Sequence, residues 1–262
     1  MLSEAAPACL PTSVARNMLG RMRKTHEKGR IAIFTGPPGI GKSTSIRALR
    51  AECPDEVAII TIKDRNASAV LALRHMLRAL SGLNGHGDGP NPQSESSRLA
   101  FQIQYALETW RMQHFAGASL TLIFDEAQNL SRGAIETLRF YNDAAGADMP
   151  FPLGLIFVGN HELSLKVDDK GQSTISAAVS SRAFYKIEFD VTKPVHEADY
   201  RLLLEDAGII DAAAVDLIVR YFTRPRVPRD LRQLRQLIEE LREEADDEPI
   251  TVETVNSVLS LT

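Results

Sequence analysis

Eight consecutive residues constrain this chain more than any others: Gly36, Pro37, Pro38, Gly39, Ile40, Gly41, Lys42 and Ser43, in the spacing G-x-x-x-x-G-K-[ST]. An apolar run, Ile31-Ala-Ile-Phe34, precedes them, and a helical pattern, Ser43–Glu52, follows. The run is too short for a helix, is closed by Gly36-Pro-Pro, and reads as a buried parallel strand. Glycines let backbone N–H groups turn inward around phosphates, and the following helix adds its positive N-terminal end. Lys42 is expected to reach the β- and γ-phosphates, and the Ser43 hydroxyl to bind Mg²⁺, with Thr44 completing the nucleotide contacts. The expected ligands are ATP and Mg²⁺. A glycine-rich turn that binds nothing is the alternative; the strand before and the helix after argue against it.

Further apolar runs lie at Val57–Ile62, Leu120–Phe124 and Leu153–Val158, with a weaker one at Tyr185–Phe189. Helical patterns separate them: Ser43–Glu52, Ala67–Leu80, Ser97–Gln113 and Arg132–Ala144. Such alternation predicts an α/β fold with a parallel sheet covered on both faces. Thr12–Lys28 reads as an amphipathic helix capped by Thr12 or Ser13, with Val14, Met18, Leu19 and Met22 on one side. Ser81–Ser97, rich in Gly, Pro, Ser and Asn, reads as a loop. After Lys193-Pro194 come helical patterns at His196–Ala207, Ala212–Tyr221, Arg229–Ala245 and Thr251–Leu261, and no further strand. The expected division is an N-terminal segment and helix over 1–29, a nucleotide-binding α/β domain over 30–192, and a helical lid over 193–262.

With 262 residues, 44% hydrophobic and 24% charged, the chain has the make-up of an ordinary soluble protein. Its cysteines, Cys9 and Cys53, are far apart and have no ligand-spaced neighbours, which argues against a disulfide framework or a zinc site. No apolar run approaches the ~18 residues of a membrane span. Met1–Pro11 lacks the basic start and long apolar stretch of a signal peptide, so the cytoplasm is the expected compartment. The net charge of -4 conceals segregation: Thr12–Arg30 holds six Lys/Arg against one Glu, and Arg220–Arg235 holds six Arg against one Asp. Glu239–Glu248 holds seven acids against one Arg. Each basic stretch reads either as a solvated helix face or as a local surface for nucleic acid.

Leu120-Thr-Leu-Ile-Phe-Asp125-Glu126 supplies the second half of a site. An apolar strand delivers Asp125 to its carboxyl end, where ligands bind in open parallel sheets. Asp125 would hold Mg²⁺ and Glu126 would activate the attacking water; a capped helix start is the plainer reading. Leu155-Ile-Phe-Val-Gly-Asn160 ends in a polar residue on the same edge. Asn160 is placed to orient that water or touch the γ-phosphate, although Asn after Gly is also turn chemistry. Arg182, before the last strand, and Arg232, at the start of a long helix, are not separable from surface arginines on local grounds.

Taken in order, these features resemble an AAA+ ATPase over about residues 10–262. The resemblance implies a sheet of order 5-1-4-3-2 and makes Asn160 sensor 1. It makes Arg182 a finger inserted into a neighbouring subunit's site, and Arg232 sensor 2 on the lid. Within that superfamily the chain is most similar to the MuB/TniB/TnsC transposition regulators. The likeness rests on Val57-Ala-Ile-Ile-Thr-Ile leading into Asn66-Ala-Ser-Ala-Val-Leu, on Asp125-Glu-Ala-Gln-Asn-Leu with Ala134-Ile-Glu-Thr-Leu-Arg139, on Gly159-Asn-His161, and on Pro228-Arg-Asp-Leu-Arg232. It implies an ATP-dependent protein that assembles as a helical filament or ring on duplex DNA, marks a target and recruits a DDE transposase, with hydrolysis driving disassembly. The family's basic stretch near 84–95 reads here as Asn-Gly-His-Gly-Asp-Gly-Pro, without Lys or Arg. DNA contacts are therefore expected on Lys63, Arg65, Arg74 and Arg78. Departures are the missing N-terminal helix-turn-helix and that loop; a helicase-loader-like or ExeA-like AAA+ ATPase is the alternative.

Overall fold

The computed structural model describes residues 10–85, 96–114, 117–147, 153–165, 177–190, 195–224, 227, 230–246 and 248–260. Its strands are β1 (Ile31–Thr35), β2 (Val57–Thr61), β3 (Leu120–Asp125), β4 (Leu153–Gly159) and β5 (Ala183–Glu188). They form one parallel sheet in the order β2-β3-β4-β1-β5, the expected 5-1-4-3-2 read from its other edge. Every residue of the interior strands β1 and β4 is buried, as is every residue of β3 but Asp125. A parallel strand covered on both faces must be apolar on both, which is why these segments read as unbroken apolar runs. The edge strand β5 alternates between half-buried and exposed residues.

Side chains alternate across the pleat and feed two cores. Ile31, Ile33, Leu122, Phe124, Leu155 and Phe157 face one side. There they pack with α3 (Ala69–Leu83), α4 (Ser96–Gln113) and α5 (Arg132–Ala147). Ala32, Phe34, Ile123, Ile156 and Val158 face the other side, where α1 (Ser13–Glu27) and α2 (Lys42–Glu52) lie. Thr12 caps α1, its Oγ1 accepting from the Ala15 N–H at 3.2 Å, and Val14, Met18 and Met22 are the buried stripe.

Two short helices follow β4: α6 (His161–Leu165) and α7 (Ala177–Arg182). The C-terminal region is helical: α8 (Glu197–Asp206), α9 (Ala212–Thr223), α10 (Leu231–Ala245) and α11 (Val252–Ser260). Leu234, Leu237, Ile238 and Leu241 of α10 join the same core as α1 and α2. Asp199, 3% exposed, fastens α8 to α1: its carboxylate oxygens accept from the Ser13 N–H and hydroxyl at 2.6 Å each, and from the His196 N–H at 3.0 Å. Those hydrogen bonds are what make a buried carboxylate tolerable.

Differences from the sequence reading are confined to ends and short elements. Helix α3 runs on to Leu83 and α4 begins at Ser96; residues 86–95 of the expected loop lie outside the described residues, as does the expected domain boundary at 192. Strand β5 begins at Ala183, two residues before the expected start. Helices α6 and α7 and a 3-10 turn at Ala127–Asn129 escaped the reading, because a helix of one or two turns carries no measurable period.

Candidate active site

The loop between β1 and α2 leaves the sheet beside β4, where the Gly36 N–H donates to the Gly159 carbonyl at 3.3 Å. Gly39 and Gly41 hold φ of +74° and +98°, a backbone that side chains resist. Ile40 turns its side chain into the core, so any contribution it makes to a ligand is from its backbone. Lys42 Nζ donates to the Gly36 and Pro37 carbonyls at 2.8 and 2.7 Å, which holds the ammonium over the loop. Burial pushes its pKa down, nearby Glu126 and Asp125 pull it back up, and Arg232 adds to the depression. A buried cation so placed gains from an anion.

At the end of β3, Asp125 Oδ2 accepts from the Ser43 hydroxyl at 3.2 Å and Oδ1 from the Glu126 N–H at 3.0 Å. Burial pushes this carboxyl's pKa up, while the two hydrogen bonds pull it down. A hydroxyl against a half-buried carboxylate is an oxygen pair suited to a hard cation that keeps most of its water. No cluster of three or more His, Cys, Asp or Glu stands among the described residues, so a metal here would need phosphate oxygens as well. Ser43 and Asp125 fit Mg²⁺ on those terms.

A cavity of about 320 Å³ opens over the loop, lined by Pro38, Gly39, Gly41, Lys42, Ser43, Thr44, Arg47, Glu126, Gly159, Asn160, Leu231, Arg232 and Arg235. Glu126 holds a left-handed backbone, φ +56°, unusual for a residue with a Cβ. Asn160 makes the turn contact expected of it and lies beside the cavity. Its Oδ1 accepts from the Glu162 N–H at 2.8 Å, starting α6, and the residue also lines the cavity.

Arg232 reaches the cavity because α10 starts on the phosphate loop. The Leu231 N–H donates to the Gly39 carbonyl at 3.1 Å, and Asp230 caps the helix by accepting from the Arg232 N–H at 2.7 Å. A Cβ at Gly39 would stand 1.5 Å from Asp230 Oδ1, so the carboxylate rests directly on that glycine. Arg182 is placed quite differently. It ends α7, is half exposed, and its Nε lies 3.6 Å from Asp143 Oδ1. In β5, Glu188 pairs with Thr35 beside the loop, whereas Ala183 pairs with Ile31 at the opposite end of β1. That separates Arg182 from its own phosphate loop by roughly 20 Å at ~3.3 Å per residue.

Lys63 and Arg65 follow β2 and are exposed, Arg78 is exposed on α3, and Arg74, one turn earlier, is half buried. Arg74 Nε is buried without a hydrogen-bond partner among the described residues. These four lie by β2, the sheet edge opposite β5.

Four residues at the site were missed. Arg235 stands three after Arg232, so once Arg232 is placed the helical period sets Arg235 on the same face. Asp230, directly before an amphipathic helix, carried the signal of an N-cap. Arg47 looked like any surface residue of α2. Gln128 sits in the 3-10 turn and is joined by hydrogen bonds to both Glu126 and Asn160, contacts that no spacing rule foretells.

A family model described as an AAA domain matches residues 24–167. Among solved structures, Cdc6p from Pyrobaculum aerophilum is similar at 17% identity, covering 98% of this chain and 69% of that one, with a TM-score of 0.66. A RuvB mutant from Thermotoga maritima is similar at 14% identity, covering 94% and 70%, with a TM-score of 0.55. The Aeropyrum pernix ORC2 protein, in ADPNP–ADP complexes, is similar at 14%, covering 95% and 66%, with a TM-score of 0.56. No curated protein matches the chain.

Proposed function

The chain belongs to the AAA domain family and is an ATPase of AAA+ fold, and from there we propose that it is an ATP-dependent, largely sequence-nonspecific DNA-binding regulator of DNA transposition. It assembles on duplex DNA as a filament or ring, selects a target and recruits or stimulates a DDE transposase, and ATP hydrolysis drives its disassembly. The supporting observation is that Arg182 stands at the opposite end of β5 from this chain's own phosphate loop. An arginine side chain spans about 7 Å, so residues of this half-site and Arg182 can meet only between subunits. The resemblance of Ala134-Ile-Glu-Thr-Leu-Arg139 and Gly159-Asn-His161 to segments of such regulators supports the narrower reading.

The geometry supports the following roles. Backbone N–H groups from Gly39 to Thr44 and the N-terminal end of α2 bind the phosphates. Lys42 draws the β- and γ-phosphates into the loop, and Ser43 and Asp125 hold Mg²⁺, which when bound neutralises charge on those phosphates. Glu126 takes a proton from the attacking water, and Asn160 orients that water from the end of β4. Arg232 reads the γ-phosphate from α10, and Arg182 of the adjoining copy meets the charge that develops during transfer.

Arg182→Ala is expected to leave ATP affinity within about two-fold and to lower turnover in assemblies on the order of 10³-fold. A steady-state ATPase assay with saturating DNA reads this, and unchanged turnover removes the finger role. Lys63, Arg65, Arg74 and Arg78 are proposed to contact DNA phosphates. With all four engaged, log affinity should fall against log salt with a slope of about -4 per subunit. Fluorescence anisotropy on a labelled duplex, with a non-hydrolysable ATP analogue, measures that slope. No binding at low salt would overturn the functional reading.

A further inference from the structure

We propose that Gln128 is a positioning residue for hydrolysis, holding the Glu126 carboxylate in place and tying it to the end of β4. Its Nε2 donates to Glu126 Oε2 at 2.5 Å, and its Oε1 accepts from the Asn160 N–H at 3.2 Å. One primary amide thus spans two groups, which requires a donor at one end and an acceptor at the other. Glutamate could accept from Asn160 but, while ionised, could not donate to Glu126.

Three further observations fix the arrangement. Gln128 is 9% exposed, so its amide has few other partners within reach. The turn that carries it is pinned on both sides: the Asn129 N–H donates to the Glu126 carbonyl at 2.9 Å, and Asn129 Nδ2 to the Ile62 carbonyl at 2.9 Å. A Cβ on Gly159 would stand 2.6 Å from Gln128 Oε1, so the amide occupies space that only a glycine leaves open. Gly159 is thereby part of the device, and its role is to admit a side chain.

The consequence is chemical. A donor held on one carboxylate oxygen limits the rotation of a side chain that lines the cavity, and so fixes how the base is presented there. Because the other end of the amide rests on Asn160, displacement of that residue by a γ-phosphate would be felt at Glu126. Ligand contact at the strand end and readiness of the base are then one event.

This inference rests on Glu126 being the base. Gln128→Glu keeps the acceptor for Asn160 but replaces the donor facing Glu126 with a second acceptor. The expected result is a kcat lowered about ten-fold or more, since a hydrogen bond to a charged group is lost. KM for ATP should stay within about two-fold, so that the loss falls on kcat alone. Gln128→Met, of similar length and without a donor, should lower kcat comparably, and it covers the case in which the charged variant does not fold. Wild-type kcat in either variant, or a loss of kcat/KM that comes wholly from a raised KM, would overturn the proposal. If Glu126→Gln also hydrolyses normally, the base assignment itself has failed; if that variant is inactive, only the role of Gln128 has.

Discussion

Lys42→Ala is expected to weaken ATP binding about 10²-fold or more, by isothermal titration calorimetry, without altering the fold. The ammonium is half buried and held over the loop by the Gly36 and Pro37 carbonyls. Burial already pushes its pKa down, so the charge lies where solvent compensates poorly and a triphosphate would compensate well. Truncating one member of a desolvated charge pair costs about 2–5 kcal/mol, and 1.4 kcal/mol is ten-fold in affinity. Arg47, Arg232 and Arg235 line the same cavity, whereas Lys42 is the cation held by carbonyls of the loop itself. The alanine removes the donor together with its charge, and what it leaves are the backbone carbonyls of Gly36 and Pro37. Thermal unfolding of the unliganded variant should match the wild type. Wild-type affinity in the variant would mean that backbone N–H groups alone carry the phosphates.

Glu126→Gln is the second large effect. The substitution keeps size and hydrogen-bonding reach, so ATP should bind within about three-fold of wild type. Proton acceptance is lost, and general-base catalysis contributes typically 10²–10⁴-fold. Single-turnover hydrolysis should fall by that order. The ATP-bound form should then persist, and with it any assembly the nucleotide supports, since a ligand shifts a population only while it remains bound. Hydrolysis at the normal rate would remove Glu126 from the mechanism. A normal rate of disassembly with hydrolysis abolished would separate turnover from release.

Most of the sheet was legible because burial on both faces leaves a plain mark. Strands β1, β3 and β4 are apolar at nearly every position, and the sheet buries nearly every residue of them. Strand β5 was harder, since its alternating exposure dilutes the signal, and its start at Ala183 was placed late. The phosphate loop, Asp125 and Glu126 were legible because each follows a strand end that topology places on one edge. Arg232 and Arg182 show where such reasoning stops. Both are arginines near an element boundary, yet one lines the cavity and the other stands at the opposite end of β5. Only the direction and register of β5 separate them. Gln128 was invisible for a related reason: its partners are two residues before it and thirty-two after, and a turn as short as Ala127–Asn129 has no period to announce it.

The proposed account has the nucleotide govern association of subunits, with Arg182 completing the site of an adjoining copy. Electron microscopy of the protein with duplex DNA, with and without a non-hydrolysable ATP analogue, tests that most directly. Rings or filaments on DNA that form only with the analogue are the predicted result. Single, unassembled particles on DNA in both conditions, or no protein on DNA at low salt with the analogue present, would contradict the account.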